Sequence, residues 1–257
     1  MEKKNKVALI TGASSGIGRD MARDLAQRGY NLILVARDKE RLEELKKEFN
    51  VEVTTISIDL ADSNNCKELY NEVKNKFEKI DILINNAGFG EFGFFSETNL
   101  DKEISLINTN ITAVHILTKL FLKDMKEVDE GKILNVASIA GFLPGPLMAA
   151  YYSSKSYVLR LSQSIREELK KQKSNVKISV LCPGPVNTNF NNVAGVKFGL
   201  PAFTSEHVAK YTIKQMLKNK FLIIPGITIK LTAVASKIIP SVILSKFVYI
   251  SQKKKDK

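Results

Sequence analysis

The sequence predicts an α/β fold: a doubly wound, mostly parallel sheet with helices on both faces. Three observations predict it. Short, β-branched apolar runs alternate with longer amphipathic ones. The short runs are apolar at nearly every position, as strands covered on both faces must be. A glycine-rich turn at 12–18 joins the first short run to the first amphipathic one.

Predicted strands occupy 7–10, 32–35, 53–58, 82–84, 133–136 and 176–181; predicted helices occupy 16–28, 39–49, 63–77, 101–126 and 150–171. In 39–49 (KERLEELKKEF) helical spacing turns Leu42 and Leu45 inward and the charges outward. No composition break interrupts the alternation, so 1–257 reads as one domain. Beyond Leu181 the pattern loosens. Pro183, Gly184, Pro185, Gly195, Gly199 and Pro201 mark 183–204 as a mobile loop on the substrate side. Residues 225–250 form an apolar C-terminal extension that Pro240 should kink or divide.

Composition narrows the class. With 44% hydrophobic and 26% charged residues, the chain is neither disordered, collagen-like nor a polytopic membrane protein. Its most apolar stretch, 221–250, is broken by Lys230, Lys237, Pro240 and Lys246, so no bilayer-spanning helix is expected. The first residues run straight into a strand, without the apolar segment of a secretory signal. Cys66 and Cys182 cannot build a disulfide framework and suit a reducing compartment. The expected location is cytoplasmic. The net charge of +12 is mostly lysine, spread along every helix without a basic and aromatic cluster, so no nucleic-acid partner is expected.

The turn Thr11-Gly12-Ala13-Ser14-Ser15-Gly16-Ile17-Gly18 follows a strand and opens a helix. Its glycines permit close backbone approach, and the helix N-terminus offers unpaired N–H groups and a positive dipole to a pyrophosphate. This predicts a Rossmann-type dinucleotide site. At the tip of the second strand an acid normally holds the ribose hydroxyl of NAD. Here the tip is Ala36-Arg37-Asp38. A guanidinium suits a 2′-phosphate, so NADP is favoured over NAD. In the alternative, Arg37 is solvated and Asp38 holds the ribose or caps the next helix.

Tyr151 and Lys155 stand four apart near the start of a predicted helix and share a face. Tyr152 has Ser156 at that spacing instead. Lowering a phenol pKa from near 10 to neutrality takes about 4 kcal/mol. One ammonium about 4 Å away supplies a comparable amount at an effective dielectric of 20. Ser138 ends the strand 133–136, Asn110 lies on the preceding helix, and Asn85-Asn86-Ala87-Gly88 ends the strand 82–84. Asn85 reads as a structural tie between strands.

Together TGASSGIG, NNAG, Asn110, Ser138, Tyr151-xxx-Lys155 and Pro183-Gly184-Pro185-Val186-Asn187-Thr188 resemble the short-chain dehydrogenase/reductase family, in order over residues 6–190. The resemblance implies Tyr151 as acid/base, with Lys155 lowering its pKa and binding the nicotinamide ribose. Ser138 would position the substrate oxygen, and Asn110 would hold a water in a relay through Lys155. The cofactor would rest on Gly12, Ser14, Ser15, Gly16, Ile17, Gly18, Asn86, Gly88, Gly184 and Val186. Asp59 and Leu60 match the adenine pair, and Thr188 the carboxamide contact. Many NADP-preferring members carry a basic residue where this chain has Ser15, so cofactor choice rests on Arg37. Members usually pair through helices equivalent to 101–126 and 150–171, which implies a homodimer or homotetramer.

Three segments should surround the reacting end: 89–95 (FGEFGFF), 142–148 (FLPGPLM) and 193–203. They are rich in Phe, Leu, Met and Pro and nearly uncharged, which suits a lipophilic ketone or alcohol, steroid-like (including bile acids) or 3-oxoacyl. His115 and His207 are isolated, so no metal site is expected. The rival reading is a non-catalytic NADPH-binding regulatory or peripheral membrane protein on the same fold. The extension 225–250 is expected to complete a hydrophobic substrate wall or meet a second subunit, with membrane contact not required. Leu231 and Ile239 should face the substrate, and 251–257 should be dispensable.

Overall fold

Alternation along each strand explains the unbroken apolar runs. On β1 (Val7–Thr11), Ala8 and Ile10 feed one core and Leu9 the other; on β2 (Asn31–Ala36), Leu32 and Leu34 oppose Ile33 and Val35. The same division recurs on β4 (Ile82–Asn85) and β5 (Lys132–Val136). Neither face is left for water, so neither needs polar residues. The computed structural model describes residues 6–188, 190 and 202–253.

Seven parallel strands run in the order β3-β2-β1-β4-β5-β6-β9, with β3 at Val53–Ser57, β6 at Lys177–Leu181 and β9 at Leu222–Ile223. Two short strands, β7 (Val186–Asn187) and β8 (Phe203–Thr204), pair with each other outside this sheet. Helices α1 (Gly16–Gln27) and α2 (Lys39–Lys46) cover one face. The other carries α3 (Ser63–Lys76), α5 (Val114–Glu127) and α6 (Ala149–Lys171). The chain leaves β1 toward β2 and β3, then returns to place β4 on the opposite flank of β1. That reversal opens a crevice at the carboxyl ends of β1 and β4, where ligands bind in such sheets.

Two elements carry signals the sequence reading passed over. Helix α7 (Ser205–Leu217) is capped by Thr204, whose hydroxyl accepts from the His207 amide, and buries Val208, Ala209, Ile213 and Met216 beside α1. A threonine cap followed by apolar residues at helical spacing was the available cue. Strand β9 is only two residues long, too short for periodicity to register.

The predicted helix 101–126 is not uniform. It comprises α4 (Leu100–Ile107), a π-helical segment Asn108–Ala113, and α5. Asn110 lies inside the π segment, the register change that single extra residues in helices impose and that often accompanies function. The extension divides as proline predicts, into α8 (Ile227–Ala235) and α9 (Ser241–Lys253) on either side of Pro240.

The structure bears on three expectations for that extension. Its largest side chains are not buried: Leu231 is 63% exposed and Ile239 lies outside the core, so neither lines a substrate wall. Ile229 and Ala233 alone turn inward from α8, Ile229 packing over Gly184. Nor is 251–257 without contacts to the rest of the fold: Gln252 is the buried residue of α9 and its Nε2 donates to the Tyr152 hydroxyl at 2.6 Å. Gln252→Ala leaves a largely buried phenol without its partner, a cost of about 1–3 kcal/mol. The variant should lower Tm by a few degrees and speed proteolysis within 241–253. Unchanged cleavage would mean that this bond does not dock the helix.

Candidate active site

The glycine turn is shaped by backbone, not by side chains. Gly12 and Gly16 adopt φ of +64° and +56°, a region where other residues are strained. A Cβ on Gly12 would sit 2.8 Å from the Ala87 Cα, and one on Gly18 would sit 2.4 Å from Asn86 Nδ2. Asn86 fastens this packing: its Nδ2 donates to the carbonyls of Thr11 (3.0 Å) and Gly12 (3.1 Å). The Thr11 hydroxyl accepts from the Asn86 and Ala87 amides.

At the start of α1 the Ser15 side chain makes no capping bond, and the first turn holds no acid. The leading amides and the positive end of the dipole therefore face the crevice, as an anion site requires. Thr188 reaches this turn, its Cγ2 lying 3.1 Å from where a Gly16 Cβ would stand. Ser14 and Ile17 are half-buried beside it.

Around β2 the two candidate residues separate. Asp38 is used by its own helix: its carboxylate accepts from the Arg41 amide at 3.0 Å and pairs with Arg41 Nε at 3.2 Å. Arg37 is exposed, and its guanidinium has no partner among the described residues. At the end of β3, Asp59 is exposed and accepts from the Ala61 amide at 3.0 Å, while Leu60 is buried in the second core.

Asn85, Thr118, Asn135 and Ser162 form a buried polar ladder joining β4, α5, β5 and α6. It is structural, as expected of Asn85. The other asparagine also works as a clamp. Asn110 Oδ1 accepts from the Phe89 amide (3.1 Å), and its Nδ2 donates to the Phe89 carbonyl (2.9 Å) and the Ser154 hydroxyl (3.0 Å). Both Nδ2 hydrogens are used, and Oδ1 keeps one lone pair. Gly88 is the point where the clamp and Lys155 converge: a Cβ there would lie 2.7 Å from Asn110 Oδ1 and 3.4 Å from Lys155 Nζ.

Tyr151, Ser138 and Lys155 gather beyond the ends of β5 and β6. Ser138 stands beside the Tyr151 phenol, where it favours the phenolate, and its hydroxyl accepts from the Ala140 amide at 3.1 Å. Lys155 Nζ donates to the Val136 carbonyl at 2.9 Å and lies 5.8 Å from the centre of the Tyr151 ring. With no cofactor bound, burial dominates both groups. Burial pushes the Tyr151 phenol above its usual range, only partly offset by Ser138. Burial likewise lowers Lys155 to about 8. Two groups desolvated together each lose more than a contact at this distance returns.

This makes a pH prediction for the cofactor-free protein. Lys155 has its pKa lowered from 10.5 to about 8, so the native state disfavours the ammonium. Its penalty is full below pH 8 and fades as pH rises through 10.5. Lys155→Met should therefore stabilise the protein at neutral pH, by on the order of 3 kcal/mol, with the advantage shrinking across that window. Denaturant titrations at several pH values would show it, and a difference constant with pH would refute the burial argument.

Cys182, a residue the sequence reading did not place here, lies buried among these groups, its thiol pushed up to about 12 by desolvation. It stays protonated and is no nucleophile. Above the centre, Met148 packs with Phe92, Tyr151, Tyr152 and Phe190. The 89–95 and 142–148 segments therefore do meet at the tyrosine. Of 193–203, positions up to 201 lie outside the described residues, as does most of the proposed mobile loop. Gly184 and Val186 belong to its described first part, Val186 lying within the core beside α7. No group of His, Cys, Asp and Glu able to hold a metal occurs among the described residues.

A sequence profile described as short chain dehydrogenase matches residues 6–196. The chain belongs to the short-chain dehydrogenase family. It is 36% identical over 174 residues to the very-long-chain 3-oxoacyl-CoA reductase of Rattus norvegicus, covering 63% of this chain and 54% of that one. This short-chain dehydrogenase thus spans about half the length of that relative. A short-chain dehydrogenase from Sphingobium yanoikuyae, solved with NADPH, superposes with a TM-score of 0.81 at 30% identity, covering 91% of this chain and 93% of that one. A family member from Burkholderia phymatum, solved with NAD, gives 0.82 at 27% identity with the same coverage. The protein is a short-chain dehydrogenase of the oxidoreductase class, and of these two neighbours one holds NADPH and the other NAD.

Proposed function

We propose that the protein is an NADP(H)-dependent reductase that interconverts a ketone and a secondary alcohol on a lipophilic, 3-oxoacyl-like substrate. The observation that carries this reading is the convergence of Tyr151, Ser138 and Lys155 at one buried point under an apolar roof. The glycine turn, the α1 N-terminus, Asn86, Gly88 and Thr188 would hold the dinucleotide, and Arg37 its 2′-phosphate. When bound, the cofactor supplies or accepts a hydride.

The residues do the rest. Ser138 orients the substrate oxygen toward the phenol. Tyr151 is held protonated by burial, the form that gives a proton to the oxygen of a carbonyl being reduced. Lys155, near neutrality in its titration, is suited to replenish that proton and to hold the cofactor ribose. The roof carries one charge, Glu91, and Lys102 pairs with it at 3.6 Å, which leaves the pocket suited to acyl chains and rings rather than acids. The named reductase relative supports the acyl over the steroid alternative. Leu100, Ile104 and Ile107 expose one apolar stripe on α4, which supports pairing of two copies there.

Loss of NADPH absorbance across a panel of 3-oxoacyl thioesters, steroid ketones and simple ketones tests the reading. Turnover should be fastest on long acyl chains. Tight NADPH binding with no turnover on any of them would favour the regulatory alternative.

A further inference from the structure

The C-terminal helices present their apolar faces outward. On α8, Ile227, Leu231 and Val234 fall within about 60° of one another around the helix and are all exposed, Ile227 by 76%. Ile238 follows at 78%. On α9 the inward side carries Leu244, Ser245, Val248, Tyr249 and the buried Gln252, while Val242, Ile243, Phe247 and Ile250 face solvent. Each helix keeps some apolar residues inward, Ile229 and Ala233 on α8 and Leu244 and Val248 on α9, yet exposes at least as many large ones, more than singly scattered hydrophobes explain.

The charge on the same segment is uniform. From His207 to Lys255 the sequence has no Asp or Glu, and the extension adds Lys230, Lys237, Lys246, Lys253, Lys254 and Lys255. On the outward face of α9, Lys246 and Lys253 lie between Val242 and Ile250 around the helix, near one side of the apolar arc. No helix among the described residues is long and apolar enough to cross a membrane. Apolar residues facing out, lysines beside them and no acid is the make-up of helices that lie in a lipid–water interface.

We propose that α8 and α9 dock the protein on an anionic phospholipid bilayer, their apolar residues entering the acyl boundary and their lysines meeting the headgroups. The docking face borders the 142–148 segment of the roof. A cavity of about 450 Å³ between α9 and the roof is lined by Pro146, Ser245, Lys246, Tyr249 and Ile250. Gln252 ties α9 to Tyr152, next to the reacting tyrosine. Docking would set that opening against the membrane, where lipophilic substrates reside. Membrane binding stands apart from the reaction proposed above and is read without it.

The test is co-sedimentation of the full chain with phosphatidylcholine vesicles, with and without phosphatidylglycerol. The chain should pellet with the anionic vesicles, less as salt rises, and less with phosphatidylcholine alone. Leu231→Glu with Phe247→Glu should weaken anionic binding by on the order of tenfold or more. Both side chains are exposed, so its Tm should be unchanged. Lys230→Gln with Lys246→Gln, a change that cannot disturb a core, should reduce the preference for anionic vesicles and spare the residual neutral binding. No pelleting with anionic vesicles, or pelleting indifferent to both pairs, overturns the proposal. So does light scattering in which the Glu pair breaks a lipid-free oligomer while vesicle binding stays absent, which would make this face an interface between copies.

Discussion

Tyr151→Phe should lower turnover by roughly 10² to 10⁴ while leaving NADPH affinity nearly unchanged, because it deletes the phenol proton that the proposed reaction transfers. The ring remains, so its contacts with Phe190 at 5.2 Å and Tyr152 at 6.1 Å should persist and the fold with them. Tyr152→Phe is the control. Its hydroxyl accepts from Gln252 rather than facing Ser138, so the change should cost a little stability and little turnover. Steady-state kinetics with cofactor titration separate the two. Equal losses from both substitutions would remove Tyr151 from its role.

Arg37→Ala should raise the KM for NADPH by about 10- to 150-fold, the loss of one charge-assisted contact worth roughly 1.5–3 kcal/mol, and scarcely alter NADH kinetics. The structure sharpens this expectation. Asp38, the rival ribose ligand, is already committed to capping α2 and pairing with Arg41, whereas Arg37 is uncommitted. With Ser15 at the turn, no second cation there shares the 2′-phosphate. Wild-type kinetics that fail to distinguish NADH from NADPH would refute the assignment.

The sequence by itself determined six of the seven strands of the sheet, the glycine turn and the place of the candidate site residues along the chain. These depend on local chemistry: period-two strands apolar on both sides, glycines needed at positive φ, a tyrosine and lysine one helical turn apart. It also placed the break at Pro240, which is a property of the residue itself. Tertiary structure decided what depends on neighbours. Lys155 and Tyr151 are close in sequence, yet their protonation follows from burial by several elements, which spacing does not reveal. Asn110 was legible as a site residue, but its use as a clamp on Phe89 and Ser154 depends on a π-helical register that no local pattern announces. The extension shows the same limit most plainly. Apolar residues at helical spacing say that a face exists and leave its direction open. Only the packing of Ile229 over Gly184 and of Gln252 against Tyr152 turns most of the remaining apolar side chains outward.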